Sequence, residues 1–239
     1  MTVGRDDEIY PNSPLVDVAC EIRFAGEIVV ETQRHIFWER IRDQYPEIRV
    51  PHIQQGQAPA LQHYRFCNAD GRVVAVALNS LAYSEAKYSG HEKFISEFAR
   101  LAKIFSECYP AIDKLNRVGW RYMNVIPFQR ESDCIPVNRI LKKRIDFPFN
   151  VLENARNFDA RFETKRREGF VIIRLTSVSN TQAPGVEGVL LDIDFALESS
   201  DLRMRNLVTD VKVARNHARA IFEDLITDDY RTYLRGEGQ

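Results

Sequence analysis

Cysteine is scarce in this sequence of 239 residues, with four copies at positions 20, 67, 108 and 134. They form no C-x-x-C pair, and they do not combine with histidine at the spacing of zinc ligands. This excludes the common sequence patterns of structural zinc sites. We therefore expect four reduced thiols, as is usual in a cytoplasmic protein.

The sequence also lacks the short motifs that identify common catalytic and nucleotide-binding sites. None of the five histidines lies in a serine-hydrolase, zinc-protease or Cys–His signature. No glycine-rich phosphate-binding loop is present. These absences favour a non-enzymatic protein with neither a cofactor nor a bound metal, and catalysis stays open as an alternative.

No segment resembles a targeting or membrane-spanning sequence. The first residues, MTVGRDDEIY, are polar and acidic, and they lack the basic and apolar regions of a signal peptide. The longest apolar run is far shorter than a membrane span. The sequence therefore predicts a cytoplasmic protein without a membrane partner.

The net charge is close to zero, because 33 basic side chains are balanced by 34 acidic ones. Its distribution is uneven, since positions 100–180 hold sixteen basic and nine acidic residues. A basic segment of this kind can contact the phosphates of a nucleic acid or another anionic partner, which is a second alternative function. Its candidate contact residues are Lys142, Lys143, Arg144, Lys165, Arg166 and Arg167.

Hydrophobic periodicity predicts the order strand, helix, strands, helix in the first half. Apolar residues alternate with polar ones from Val16 to Phe24, as in a half-buried strand. The spacing of Phe94, Phe98, Leu101 and Phe105 predicts one apolar helix face. The other predicted elements are a helix capped by Thr32 and ending near Gln44, with Ile36, Phe37 and Ile41 inward, a loop over Gln54–Pro59, strands Leu61–Cys67, Arg72–Asn79 and Leu81–Tyr88, a hairpin turn at Asn68–Gly71, and a capping box from Ser89 to Glu92.

The second half repeats this order. Residues Arg117–Ile126 alternate like those of the first strand, and a long helix follows Ser199-Ser200-Asp201. The other predicted elements are a short helix over Val137–Leu141, a brief strand at Phe147–Phe149, a hairpin of Phe158–Lys165 and Gly169–Val178, a strand over Val186–Leu197, and an inner helix stripe of Val208, Val211, Ala218, Ile221, Phe222 and Leu225.

This repetition predicts an α+β fold made of duplicated strand–helix–four strands–helix units, with halves at 1–114 and 115–239 that form one integrated domain. A unit of this topology, used twice, resembles the saddle of the TATA-binding protein. The resemblance implies one curved antiparallel sheet with the long helices on one face. A helix-grip or ferredoxin-like arrangement is the alternative, because it also places helices on one face of an antiparallel sheet.

The predicted strands carry charged residues on one shared face, which is the candidate site for a polar ligand. Asp192 and Asp194 form a D-x-D pair that, with Glu21, could hold Mg²⁺ or Mn²⁺ in a nuclease or nucleotide-processing enzyme. The other interpretation is that arginines pair with these carboxylates and with Glu163, and Glu21 with Arg121 is one candidate pair. The face comprises Glu21, Arg23, Arg117, Arg121, Arg161, Asp192 and Asp194.

Three segments resemble a sporadically distributed bacterial family of uncharacterised proteins that open with Y-P-N-x-P…E-x-R-F. They are Tyr10–Phe24, Arg117–Ile126 and His217–Tyr230. The resemblance implies an accessory role, such as a component of a defence or toxin–antitoxin locus. Together with the missing catalytic motifs, it favours a binding or interaction protein with an unknown protein partner or polar ligand. A homodimer is possible, and a sheet edge or a helix is the expected contact.

Overall fold

A computed structural model describes residues 10–50, 63–142, 155–166, 168–179 and 187–237. Within these residues the chain is a mixed α and β structure with one antiparallel sheet of nine strands and six helices. The strands are β1 Leu15–Arg23, β2 Glu47–Arg49, β3 Tyr64–Cys67, β4 Arg72–Ala77, β5 Ser80–Glu85, β6 Arg117–Phe128, β7 Asp159–Arg166, β8 Gly169–Ser179 and β9 Glu187–Leu197. The helices are α1 Ile28–Thr32, α2 Arg34–Ile41, α3 His91–Cys108, α4 Val137–Ile140, α5 Leu207–Leu225 and α6 Asp228–Leu234.

The two strands with the clearest alternation lie side by side at the centre of the sheet. The strand order is β2-β3-β4-β5-β1-β6-β9-β8-β7. Cys20 of β1 lies opposite Trp120 of β6, and β1 pairs with β5 on its other side. The prediction that both segments form long strands of one antiparallel sheet is confirmed. Every strand from the first half lies on one side of the β1–β6 boundary, and every strand from the second half on the other.

Alternation also fixes which side chains enter the core, because a strand turns successive residues to opposite faces. Val18, Cys20, Ile22 and Trp120 are fully buried, as predicted. The ring of Phe94 on α3 lies 4.8 Å from that of Trp120, measured between centroids. Helix α3 therefore packs directly on the apolar residues of the central strands.

Helix α5 packs on the second half of the sheet. The ring of His217 stacks on Phe195 of β9 at 4.5 Å between centroids, and α5 also contacts β6 and α3. Val211, Ala218 and Phe222 of its predicted stripe are buried, whereas Val208 is 42% exposed. The buried stripe begins instead at Leu207, the residue before Val208.

Three predicted helix starts are wrong. Thr32 does not cap a helix, because its hydroxyl donates to the carbonyl of Ile28 within α1. Ser89 does not cap α3, whose N-cap is Gly90 at a φ of 110°. Residues 199–201 do not open α5, because Leu202 is buried with its carbonyl bonded to the N–H of Leu115, and a 3-10 turn at Met204–Asn206 then leads into the helix at Leu207.

Ile36 is also more exposed than predicted, at 37%. The buried residues of α2 are Phe37 and Ile41, as predicted, and Gln33 separates this helix from α1. The predicted turn at Asn68–Gly71 is confirmed: the Asn68 side chain accepts from the N–H groups of Asp70 and Arg72, and Gly71 has a φ of 80°.

Two predicted elements, the loop Gln54–Pro59 and the strand Phe147–Phe149, lie outside the described residues. Among the described residues, no helix is both long and apolar enough to cross a membrane.

Candidate functional site

The structure brings most of the predicted site residues together on β1, β6 and β9. We call Glu21, Arg23, Arg117, Arg121, Asp192 and Asp194 the central polar face. These residues lie at alternate positions of three adjacent strands, on the side opposite Cys20 and Trp120. Arg161 belongs to the same side but lies on β7, two strands beyond β9.

Arg117 lies at the middle of this face and is nearly enclosed, with its side chain 8% exposed. Its guanidinium binds both oxygens of Asp194 at 2.7 and 2.8 Å and reaches Glu21 at 3.1 Å. It lies flat over Gly119, where an added Cβ would stand 2.6 Å from Nη1. Gly119 therefore provides the space that lets one arginine bridge two strands.

Arg121 forms the second pair of the face. Its guanidinium donates to both oxygens of Asp192, at 2.7 and 2.6 Å, and the Asp192 side chain is only 8% exposed. The expected pair between Glu21 and Arg121 is wrong. The register places Glu21 opposite Gly119 and Arg121 opposite Ala19. Glu21 instead meets Arg117 on β6, and Arg121 meets Asp192 on β9.

These pairs occupy the carboxylates that the D-x-D pattern offered to a metal. Burial raises the pKa of Asp194, while Arg117 and Arg121 oppose the rise. Among the described residues, no group of three or more His, Cys, Asp or Glu side chains is placed to hold a metal ion. The central polar face is thus a network of ion pairs that ties β1, β6 and β9 together.

The predicted basic contacts fall on separate elements. Lys142 lies beside the end of α5, where its N–H donates to the Leu225 carbonyl. Lys165 and Arg166 are exposed at the hairpin end of β7, and Arg161 pairs with Glu163 on the same strand at 3.0 Å. Lys143, Arg144 and Arg167 lie outside the described residues.

A pocket that sequence reasoning missed lies between β6, the start of α3 and the middle of α5. Its cavity volume is about 50 Å³, and it opens to solvent. We call it the Arg215 pocket. Its polar lining residues are Tyr10, Ser13, Tyr88, His91, Tyr122, Asn124, Arg215 and Arg219.

Two arginines, one helical turn apart on α5, supply the positive charge of this pocket. Arg215 is 6% exposed and donates through Nη1 to the Asn216 side chain at 3.0 Å. Arg219 pairs with Glu223 at 2.8 Å, and its guanidinium lies 4.7 Å from the centre of the Tyr10 ring. Since Glu223 also binds Tyr10 and Arg231, that single carboxylate is shared among several donors.

The wall opposite α5 consists of neutral donors and a helix end. Burial raises the pKa of Tyr88, and the nearby Arg215 and Arg219 only partly oppose this rise, so the phenol stays protonated. The N-terminus of α3 begins at Gly90 without a side-chain cap, and its first N–H groups carry a partial positive charge. The pocket therefore combines cations, hydroxyl donors and a helix N-terminus, which is the chemistry of an anion site.

No protein-family model matches the chain, and a search of curated proteins finds no match either.

The sequence did contain a signal for the Arg215 pocket. Arg215 lies four residues after Val211, within the apolar stripe of α5, and a charge on a buried helix face calls for a partner or a ligand. Tyr88 and Tyr122 gave no such signal, because alternation alone placed them with ordinary core residues.

Proposed function

We propose that this chain is a non-enzymatic binding protein that holds a small anionic ligand in the Arg215 pocket. The observation that carries the proposal is the convergence of the nearly buried Arg215 with Arg219 and the start of α3 on one pocket. A guanidinium that has already lost most of its hydration binds an anion more strongly than an exposed one does.

The lining favours a phosphate or carboxylate attached to a flat, partly apolar group. Arginine forks match the paired oxygens of such anions. Tyr88 and Tyr122 form an aromatic wall, with ring centroids 6.3 Å apart, that can pack against the remainder of the ligand. With a cavity volume of about 50 Å³, the pocket has room for the anionic group of a small ligand, and the rest of the ligand would lie at its open side.

The finer features of the fold are part of the same proposal. We infer that both long helices cover one face of the sheet and that the two halves are copies of one unit. The support is that α3 packs on Trp120 and α5 on Phe195, two residues of the same face. In this arrangement the pocket lies where the two helices meet the central strands. The proposed location of the protein is the cytoplasm.

The test is calorimetric titration with inorganic phosphate and phenyl phosphate at constant ionic strength. We expect both to bind the wild-type chain, phenyl phosphate more tightly because of the aromatic wall. Arg219→Gln should weaken binding about tenfold or more, since it removes one charged donor of the anion.

Arg205→Gln is the matched control, because Arg205 is exposed just before α5 and outside the pocket. It should leave binding unchanged. Equal losses in the two variants, or no heat with either probe on the wild-type chain, would refute an anion site in the Arg215 pocket.

A further inference from the structure

Strand β7 forms one edge of the sheet and is long for an edge strand. It spans the eight residues Asp159–Arg166, and its described pairing is with β8 alone. In an antiparallel strand, every second residue turns its N–H and C=O groups towards the neighbour on one side. The other residues of β7 therefore present those groups along the outer edge, where another strand can pair.

The charges along this edge alternate in sign. Asp159, Arg161, Glu163 and Lys165 share one face of the strand because they lie two residues apart, and all four are exposed. Most protected edges carry charges that repel a second copy. An alternating series instead becomes complementary to itself when it is reversed, as it is in antiparallel pairing.

We propose that two copies of this chain associate through β7, paired antiparallel about a two-fold axis at Phe162. In this register Arg161 faces the second copy's Glu163, and Asp159 faces the second copy's Lys165. Two-fold symmetry repeats both contacts, so all eight charges of the paired faces meet an opposite charge. The sheets of the two copies then join into one.

The charge pattern selects this register over its neighbours. An axis at Arg161 sets that arginine against itself and Asp159 against Glu163. An axis at Glu163 sets that glutamate against itself and Arg161 against Lys165. If the axis passes between two residues, each odd-numbered residue faces an even-numbered one. The charged face of one copy then lies beside the opposite face of the second copy. Like charges directly opposed destabilise a strand pair.

The experiment uses two charge-reversal variants that are complementary to each other. Arg161→Glu places a carboxylate opposite the second copy's Glu163, and Glu163→Arg places a guanidinium opposite its Arg161. Each variant alone should dimerise about tenfold or more weakly than the wild type in sedimentation equilibrium. In an equimolar mixture, each introduced charge faces an opposite one, so a heterodimer should form with nearly wild-type affinity.

The mixture distinguishes pairing between copies from effects within one chain. The contact between Arg161 and Glu163 on the same strand is lost in both variants and is not restored by mixing. Lys103→Glu, an exposed reversal on α3, is the control and should leave dimerisation unchanged. The proposal is overturned if the wild-type chain stays monomeric at about 100 µM, because a specific interaction is detectable well below this concentration. It is also overturned by a dimer that neither reversal weakens, or by a mixture that does not recover it.

Discussion

His63 is a residue whose ionisation opposes the folded state. It lies next to Ser80, with 2.8 Å between Nε2 and Oγ. Burial lowers its pKa below the ordinary value of 6.5, and Arg65 and Arg23 add to that effect, whereas the nearby Glu21 opposes it. The neutral imidazole is therefore the form that the native structure favours.

This shift predicts a specific pH dependence of stability. As pH falls through 6.5, the unfolded chain takes up a proton at His63 before the folded chain does, so the free energy of unfolding decreases. It continues to decrease until the pH passes below the lowered pKa of the folded state. Urea unfolding between pH 5 and 8 measures the slope.

His63→Gln should flatten this slope, because glutamine does not titrate. His35→Gln, at an exposed position on α2, should leave it as in the wild type. The interpretation is contradicted if the two variants have identical profiles of stability against pH.

At the scale of the single element, β6 allows the two faces of the sheet to be compared at neighbouring residues. Trp120 is fully buried against Phe94, so Trp120→Ala should cost about 3–5 kcal/mol of unfolding free energy. Arg121 is 40% exposed while its partner Asp192 is 8% exposed. Arg121→Ala should therefore cost less, about 1–3 kcal/mol, because it leaves one carboxylate with little hydration.

A double variant separates the loss of the pair from the cost of the stranded carboxylate. Asp192→Asn added to Arg121→Ala should recover part of the loss, because the buried negative charge is gone. Chemical denaturation of the three variants is the measurement. Equal losses for Trp120→Ala and Arg121→Ala would mean that the assigned facing is wrong.

Elements whose residues alternate strictly could be predicted from the sequence, and elements set by distant contacts could not. Strand β6 follows from its own pattern, because only one facing buries Val118, Trp120 and Tyr122. The start of α5 depends on the bond between the Leu202 carbonyl and the N–H of Leu115, a residue far earlier in the chain. Local propensity at Ser199 and Ser200 therefore gave the wrong helix start.

At the scale of the whole molecule, the strand order makes the two halves depend on each other. Strand β1 exchanges its hydrogen bonds with β6 along most of its length, and the Arg117 bridge from Glu21 to Asp194 crosses the same boundary. We predict that fragments 1–114 and 115–239 do not fold separately, because each exposes a central strand with an apolar face.

Circular dichroism and amide hydrogen exchange of the two purified fragments provide the test. We expect weak protection in each alone and a gain of strand signal on mixing. A fragment with cooperative unfolding on its own would show instead that its half is an independent domain.

The candidate sites differ in how much the sequence revealed. The central polar face could be predicted, because its residues follow the period of each strand. Which arginine pairs with which carboxylate could not be predicted. Whether Glu21 binds Arg117 or Arg121 depends on a register set by distant strands. The Arg215 pocket requires three elements from different parts of the chain. Arg215 on the buried face of α5 was therefore the one signal for it that the sequence offered.

The central place of β1 has a consequence for protein synthesis. This strand leaves the ribosome before α3 and before both of its sheet neighbours, β5 and β6. Until they emerge, Val18, Cys20 and Ile22 have no sheet to join and present an apolar surface to solvent. The hairpin of β4 and β5 can form early from local contacts, whereas the first strand translated is enclosed only after β6, at residues 117–128, has emerged. We therefore expect chaperones that act at the ribosome to bind the growing chain of this protein.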